Sequence, residues 1–405
     1  MKEPLLYLCH RIPFPPNKGD KITTCNVLKF LNKHFDVYLG CFIDDNFDKR
    51  YVDDVKALCK ETLFISLNPS VAKVKGLKAF ITGDPITVPY YTHQKMQSWV
   101  NQVIHQQHIK KAFVYSGCMA QYLLDAPEHL HKVIDFADID SDKWRQYSKR
   151  AKGIMRYVYQ REHITLADFE TKVAENFDVS CFISETEVKQ FRAMVEPETR
   201  TKVQLLENGI DCIYFSPHEP NKLAENYPLT HHNYVVFTGA MDYHPNIDAV
   251  HWFVKHVWPQ VLAAQPDCYF YVVGSTPPKS ITQLNNQQNV VVTGRVDDIR
   301  PYLQHAKAAV APMQIARGIQ NKILEAMAMA KPVLASSIGM EGLEGYPTQY
   351  LSVADDPQEI TTWLIDKLAQ SNQQADVSRQ WLEDNFSWDA KLTPLLGYLE
   401  GERHE

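Results

Sequence analysis

Residues Ala308–Ser336 read AAVAPMQIARGIQNKILEAMAMAKPVLAS: an apolar run, a polar loop holding Gly318, a segment of helical period, then Pro332 and a second apolar run. That order is strand, loop, helix, strand, the unit of a parallel sheet whose ligand lies where a loop delivers a helix N-terminus. Leu324, Met327 and Ala328 fall on one face of the expected helix, Lys322, Glu325 and Met329 on another. A cation in the first turn, beside backbone N–H groups that lack helical partners, suits a phosphate. A carboxylate one turn later suits a pair of hydroxyls. Phosphate plus diol describes a nucleotide ribose. The plainer reading is a solvated i, i+3 pair contributing roughly a few tenths of a kcal/mol. Against it stands the small-residue run around the pair, which packs the helix tightly and aims its polar edge.

The rest of the chain extends this pattern. At 405 residues the sequence is too long for one ordinary core and fits two domains. Its 45% hydrophobic and 22% charged residues are the proportions of a soluble globular enzyme. A net charge of −6 argues against a general nucleic-acid binder. The eight cysteines are scattered through apolar runs without a C-x-x-C pair, as buried thiols of a reducing compartment would be, so the expected location is the cytoplasm. MKEPLLYLCHRIPFPP carries too short an apolar run for a signal peptide, and no apolar segment approaches the ~18 residues of a membrane span.

In the first half, strand-like runs recur at Leu5–Cys9, Val37–Phe42, Leu63–Leu67, Ala112–Ser116, Val133–Phe136 and Val179–Ile183, with helical segments between most of them. Such alternation makes a doubly wound sheet. The first run enters HRIPFPPNKGDK, where Asp20 is the expected N-cap of a helix from Lys21 to about Leu31 and Gly19 would let the backbone approach a ligand.

Asp135, Asp138, Asp140 and Asp142 follow the Val133–Phe136 run. Carboxylates gathered at a strand's carboxyl end raise one another's pKa by repulsion. Three readings stay open: helix capping by Asp140 or Ser141, a D-x-D metal site at Asp138 and Asp140, and a carboxylate that orients or deprotonates a hydroxyl. From Lys143 to Arg161, seven cations alternate with Trp144, Tyr147, Ile154, Met155, Tyr157 and Tyr159. A protein lying on an anionic membrane surface shows such a stretch, and so does a surface helix whose aromatics pack inward. Nucleic acid fits less well beside the acidic remainder.

A junction is expected around VQLLENGIDCIYFSPHEP, where Asn208-Gly209 turns the chain and Pro217 and Pro220 stop regular structure. The second half repeats a strand-glycine device at Tyr234–Thr238 with Gly239, Tyr269–Val273 with Gly274, and Val290–Thr293 with Gly294-Arg295. No G-x-G-x-x-G follows a strand, which disfavours a dinucleotide-dependent dehydrogenase.

These residues carry a resemblance. Gly318–Val333 resembles the signature of the GT-B glycosyltransferases of family 4, in which two glutamates precede an EAMA-x-G-x-PV run. Glu325 is the second acid, and Arg317 stands where the first would fall. Asn208, Gly209, Ile210, Asp211, Phe215 and Pro217 resemble the family's inter-domain segment. PFPPNKGDKI, DIDSDKW and ARGIQNKILEAMAM are most similar to the sugar transferase group of exosortase (PEP-CTERM) exopolysaccharide systems.

The resemblance implies an α/β GT-B fold, two Rossmann-like doubly wound domains facing each other across a cleft. Residues 1–207 would form the acceptor-side domain, 208–233 a linker, 234–385 the nucleotide-sugar domain and 386–405 a helix crossing back to the first, anchored by Trp388, Leu395 and Tyr398. It implies a retaining transfer from a nucleoside-diphosphate sugar, a substrate rather than a cofactor, to a glycan or polyprenyl-linked acceptor. No metal or nucleic acid is implied, and the protein would work in the cytoplasm or peripherally at the cytoplasmic face of the inner membrane, touching it through 143–161.

The donor would meet Gly19, Gly239, Arg295, Arg317, Gly318, Gln320, Asn321, Lys322 and Glu325, with Lys322, Glu325 and Asp138 in the chemistry. Typical members hold the diphosphate with an Arg and a Lys after the strand at 234–238. Neither residue type occurs between Gly239 and Ile247, which shifts that task to Lys322, Arg317 or Arg295. Arg317 in place of an acid points to a uronic acid nucleotide or to different hydroxyl contacts. An epimerase on the same frame and a noncatalytic scaffold are the competing functions.

Overall fold

The computed structural model describes residues 2–16, 18–67, 79, 83–218, 229, 232–316, 319–343, 345–346, 348, 351–370 and 375–402. The chain divides into two compact units, Met1–Asn208 with Lys391–Glu405, and Gly209–Ala390.

The first unit holds seven strands: β1 (Glu3–Cys9), β2 (Phe35–Ile43), β3 (Glu61–Ser66), β4 (Lys111–Tyr115), β5 (His131–Ala137), β6 (Val179–Phe182) and β7 (Val203–Leu205). They pair in parallel in the order β3-β2-β1-β4-β5-β6-β7. Leu5 to Cys9 are all fully buried, as expected of a parallel strand covered on both faces. The chain winds from β1 out to β3 and resumes on the other side as β4. This reversal opens a crevice beyond the carboxyl ends of β1 and β4, the place where open α/β sheets take ligands. The helices that frame it are α1 (Gly19–His34), α2 (Gln94–Gln106), α3 (Asp140–Arg150), α4 (Ile154–Asn176) and α5 (Glu185–Arg192). In α2, Met96, Val100, Val103 and Ile104 form the buried stripe that the helical period dictates.

The second unit repeats the plan with β8 (Asn233–Thr238), β9 (Cys268–Val273), β10 (Val290–Gly294), β11 (Ala308–Ala311), β12 (Val333–Ala335) and β13 (Leu351–Val353). Their order is β10-β9-β8-β11-β12-β13, again parallel, so the reversal falls between β8 and β11. Here α6 (His244–His256) follows β8 and α7 (Asn321–Ala328) follows β11, with α8 (Pro357–Ala369), α9 (Asp376–Phe386) and α10 (Trp388–Leu399) further on. From Lys391 onward the chain belongs with the first unit. There Tyr398 Oη donates to the Leu205 carbonyl at 2.9 Å, and Lys391 pairs with Glu207 at 2.6 Å.

Several expectations need correcting. Strands β7 and β13, three residues each, carry too little apolar sequence to announce themselves. Asp20 does not cap α1: the helix begins at Gly19 with Lys18 at its N-cap, because the Asp20 carboxylate is taken by Arg11 at 2.8 Å. Neither Asp140 nor Ser141 caps α3, whose N-cap is Ile139. The buried Glu170 reaches across from α4 and accepts hydrogen bonds from the Ser141 N–H at 3.1 Å and Oγ at 2.5 Å. The stretch 143–161 is two helices broken at 151–153, where Gly153 takes φ +61°. Described residues 209–218 and 386–390 group with the second unit, so the terminal helix α10 begins there and passes to the first unit at Lys391. The cysteines are all free, and all but Cys59 are buried. Among the described residues no helix is long and apolar enough to cross a membrane.

Candidate functional site

In the second unit, β8 ends at Thr238 and delivers Gly239-Ala240 before α6, while β11 runs through Pro312 and Met313 toward α7. Lys322, in the first turn of α7, sends its amino group back to the reversal point and donates to Asn246 Oδ1 at 3.0 Å and, more loosely, to Gln320 Oε1 at 3.4 Å. The Phe237 ring lies 5.4 Å from Nζ. Asn246 is fixed in turn, since its Nδ2 donates to the Ala240 carbonyl at 2.8 Å and only 4% of the residue is exposed.

Two glycines make this possible. A Cβ on Gly239 would stand 2.7 Å from Asn246 Nδ2, and one on Gly274 would stand 1.8 Å from the Gly239 carbonyl oxygen. The loops after β8 and β9 therefore touch backbone to backbone, and side chains there would push Asn246 off Lys322.

The electrostatics follow from burial. Lys322 forms no ion pair among the described residues, and desolvation lowers its pKa to about 8 despite the favourable field of Glu325. Glu325, half-buried one turn on, makes no hydrogen bond through its side chain among the described residues, and burial raises its pKa to about 7 against the pull of Lys322. A solvated surface pair would keep both groups fully charged; here burial brings both pKa values close to neutral pH. An anion arriving at Lys322 would favour the ammonium form, and the nearby carboxylate could accept hydrogen bonds from two hydroxyls.

The first unit's reversal point is built differently. Arg11 is clamped between Asp20 and Asp44, each at 2.8 Å, and His10 Nε2 lies 3.3 Å from Asp20. Tyr115, at the end of β4, stacks against the His10 ring with centroids 6.0 Å apart. Asp135, in β5, is buried, and desolvation more than the charge of Asp138 raises it to about 7; the expected mutual repulsion is the lesser cause. Ser116, just past β4, and Ala137, the last residue of β5, take φ of +78° and +64°. Such left-handed non-glycine residues persist only where surrounding structure enforces them.

The structure thus brings Lys322, Glu325 and Gln320 together with Gly239, the last through Asn246. Asn321 is exposed at the start of α7, and Arg295 is exposed beyond β10. Arg317 and Gly318 lie outside the described residues. Gly19 opens α1 in free space, with nothing within 4 Å of a Cβ placed there, so no packing in the chain demands glycine. Asp138 is half-buried and shares Lys143 with Asp140, at 2.9 and 3.0 Å. Among the described residues no three His, Cys, Asp or Glu side chains gather as metal ligands. Sequence reasoning missed Asn246, His10 and Arg11. Only their positions directly after β8 and β1 could have marked them.

Comparison with known proteins fits this geometry. Residues 232–370, which contain Gly239, Asn246, Lys322 and Glu325, match the family model described as Glycosyl transferases group 1. No curated protein matches in sequence. Among solved structures, sucrose-phosphate synthase from Thermosynechococcus elongatus is similar with a TM-score of 0.59 and 16% identity over 97% of both chains. Anabaena HepE in complex with UDP gives 0.58 and 15% over 99% of this chain and 100% of the other. A glycosyltransferase from Rickettsia africae gives 0.58 and 15% over 99% and 98%. The fold is α/β of the GT-B class, with two doubly wound Rossmann-like units, and the second matches the group 1 glycosyl transferase model.

Proposed function

We propose that this protein is a glycosyltransferase that moves a sugar from a nucleoside-diphosphate donor, bound by the second unit, to a hydroxyl of a glycan or polyprenyl-linked acceptor. The observation that carries the reading is the Lys322 ammonium, desolvated at the β8/β11 reversal point and held by an amide oxygen instead of a carboxylate. As the bond between sugar and diphosphate breaks, negative charge grows on the leaving group, and Lys322 is placed to stabilise it. Glu325 holds the ribose diol, and Gly239 keeps the loop clear for phosphate. Gln320, Asn321, Arg295, Arg317 and Gly318 belong to the donor contacts in this reading, and Gly19 lies on the side of the acceptor. Transfer is of the retaining type: the leaving phosphate takes the acceptor proton on the same face, so Asp138 orients rather than deprotonates. The resemblance to family 4, and within it to the exopolysaccharide sugar transferases, supports these finer points.

The solved HepE complexes hold UDP and UDP-glucose, which makes UDP the first ligand to try. A ligand that binds only the folded state raises the melting temperature. UDP, GDP, ADP and dTDP sugars are screened by thermal shift; one should stabilise the protein, and Lys322→Ala should weaken its binding about 10–100-fold, the range for a hydrogen bond to a charged group. No stabilisation by any of the four, or full affinity in the folded variant, would remove this reading. Incubation of the donor alone separates transfer from epimerisation, since an epimerase alters the sugar without an acceptor.

Contact with a membrane surface through 143–161 is part of the proposal. Ile154 and Tyr157 are 78% and 69% exposed at the α3–α4 turn, with Lys152 and Arg156 exposed beside them. Apolar side chains ringed by cations suit an anionic bilayer. Flotation with vesicles containing phosphatidylglycerol should carry the protein up, and Ile154→Asp should reduce the bound fraction about tenfold, as loss of one buried apolar side chain implies. Equal flotation of the variant would exclude this contact.

A further inference from the structure

Asn246 lies in the first turn of α6 and is 4% exposed, a costly place for an amide that lacks partners. Its two ends are engaged differently. Nδ2 donates to the Ala240 carbonyl at 2.8 Å, and a carbonyl can only accept, so the amide cannot turn over and Oδ1 must face Lys322, 3.0 Å away. One side chain thereby ties the loop after β8 to the first turn of α7. The backbone at Gly239 is shaped around it, since a Cβ there would stand 2.7 Å from Nδ2.

The other groups that face Lys322 from neighbouring elements do not ionise. β8 presents the Phe237 ring at 5.4 Å, the segment after β11 presents the Met313 sulfur at 3.9 Å, and Gln320 offers a second amide oxygen at 3.4 Å. Among the described residues, the titratable group whose field bears on the ammonium is Glu325, on the same helix. A carboxylate in the place of Asn246 would hold the ammonium as firmly but would compensate its charge before any ligand arrived. A neutral acceptor fixes the direction and leaves the charge. We infer that Asn246 is a positioning residue for the donor: its amide oxygen aims the Lys322 ammonium at the diphosphate while leaving the positive charge uncompensated. This rests on the proposed function and adds to it a second side chain on which stabilisation of the leaving group depends.

Asn246→Asp and Asn246→Ala separate aim from charge. Both lose the donor to Ala240, so a difference between them arises at Lys322. In the full chain, affinity for UDP, or for whichever of GDP, ADP and dTDP stabilises the wild type, is measured by calorimetry as a function of pH. Ionisation of Lys322 is followed separately, without nucleotide, by competitive labelling with acetic anhydride and mass spectrometry. In Asn246→Asp the new carboxylate pairs with Lys322 and competes with diphosphate. Affinity at neutral pH should fall about 10–100-fold, and the alkaline limb should move to higher pH because a carboxylate favours the ammonium. In Asn246→Ala the ammonium loses its acceptor, so affinity should fall about 10-fold and the limb should move to lower pH. The labelling midpoints should shift in the same two directions. An asparagine that only joins loop to helix would weaken both variants and leave the limb where the wild type has it. Asn246→Asp is isosteric and carries the test if the alanine variant does not fold. Coincident limbs and midpoints, or full affinity in Asn246→Asp, overturn this inference alone when the wild type binds nucleotide. If none of the four stabilises the wild type, the proposed function fails and the inference with it.

Discussion

The two reversal points share a topology and carry opposite chemistry. At β1/β4 every charge has a partner: Arg11 lies between two aspartates, one of which also meets His10. At β8/β11 Lys322 is desolvated, donates to two amide oxygens and forms no ion pair among the described residues. The same doubly wound scaffold thus carries neutralised charges at one reversal point and a desolvated cation at the other. The difference comes from a few residues that follow equivalent strands, in keeping with the rule that function lives in sites carried by folds.

The contrast is broken most severely at its glycines. Gly274→Ala would drive a methyl into the Gly239 carbonyl and should cost roughly 3 kcal/mol or more, or prevent folding of the second unit. Gly19→Ala, which meets nothing, should leave the melting temperature almost unchanged. Equal melting temperatures for the two variants would contradict the close approach of the β8 and β9 loops.

Titration should sharpen the comparison next. In the second unit, phosphate needs protonated Lys322 and the diol needs ionised Glu325, whose pKa values are about 8 and about 7. UDP affinity measured by calorimetry should therefore peak near neutral pH and weaken on both sides, with the alkaline limb displaced upward in the complex because bound phosphate favours the ammonium. In the first unit the raised carboxyls affect stability instead. Burial lifts Glu170 from 4.5 to about 8, so the folded state holds a proton that the unfolded chain has released, and its contribution is present below about pH 4.5 and lost as pH rises through 8. Glu170→Gln keeps an acceptor for the Ser141 N–H and cannot ionise. The variant should lie close to the wild type at pH 5 and exceed it by roughly 3 kcal/mol at pH 8 in urea unfolding. A constant difference between the two pH values would show that Glu170 does not titrate in that range.

Legibility in the sequence followed the physical range of each signal. Long apolar runs such as Leu5–Cys9 and Val235–Phe237 announce buried parallel strands because both faces are covered, and helical spacing makes Lys322 and Glu325 neighbours, though spacing alone equally describes a solvated pair. β7 and β13 could not be seen, since three residues pair only because neighbouring strands are already in place. Asp20 was misread as a cap because a local rule favours aspartate before a helix, and nothing local says that Arg11 takes the carboxylate first. Asn246 was invisible for the same reason. Its partners Ala240 and Lys322 are six and 76 positions away, and only the sheet brings the second within reach.

The return of Lys391–Glu405 to the first unit bears on how the chain is made. Tyr398 is 3% exposed, its hydroxyl meets Leu205 and its carbonyl meets His131, while Glu400 pairs with Lys111. A ribosome finishes β1 to β7 long before it supplies these partners, and the second unit, lying wholly between them in sequence, can close while the first still waits. The half of the protein synthesised first is therefore completed last, and a nascent chain stalled short of residue 391 would leave exposed the apolar edge that α10 covers.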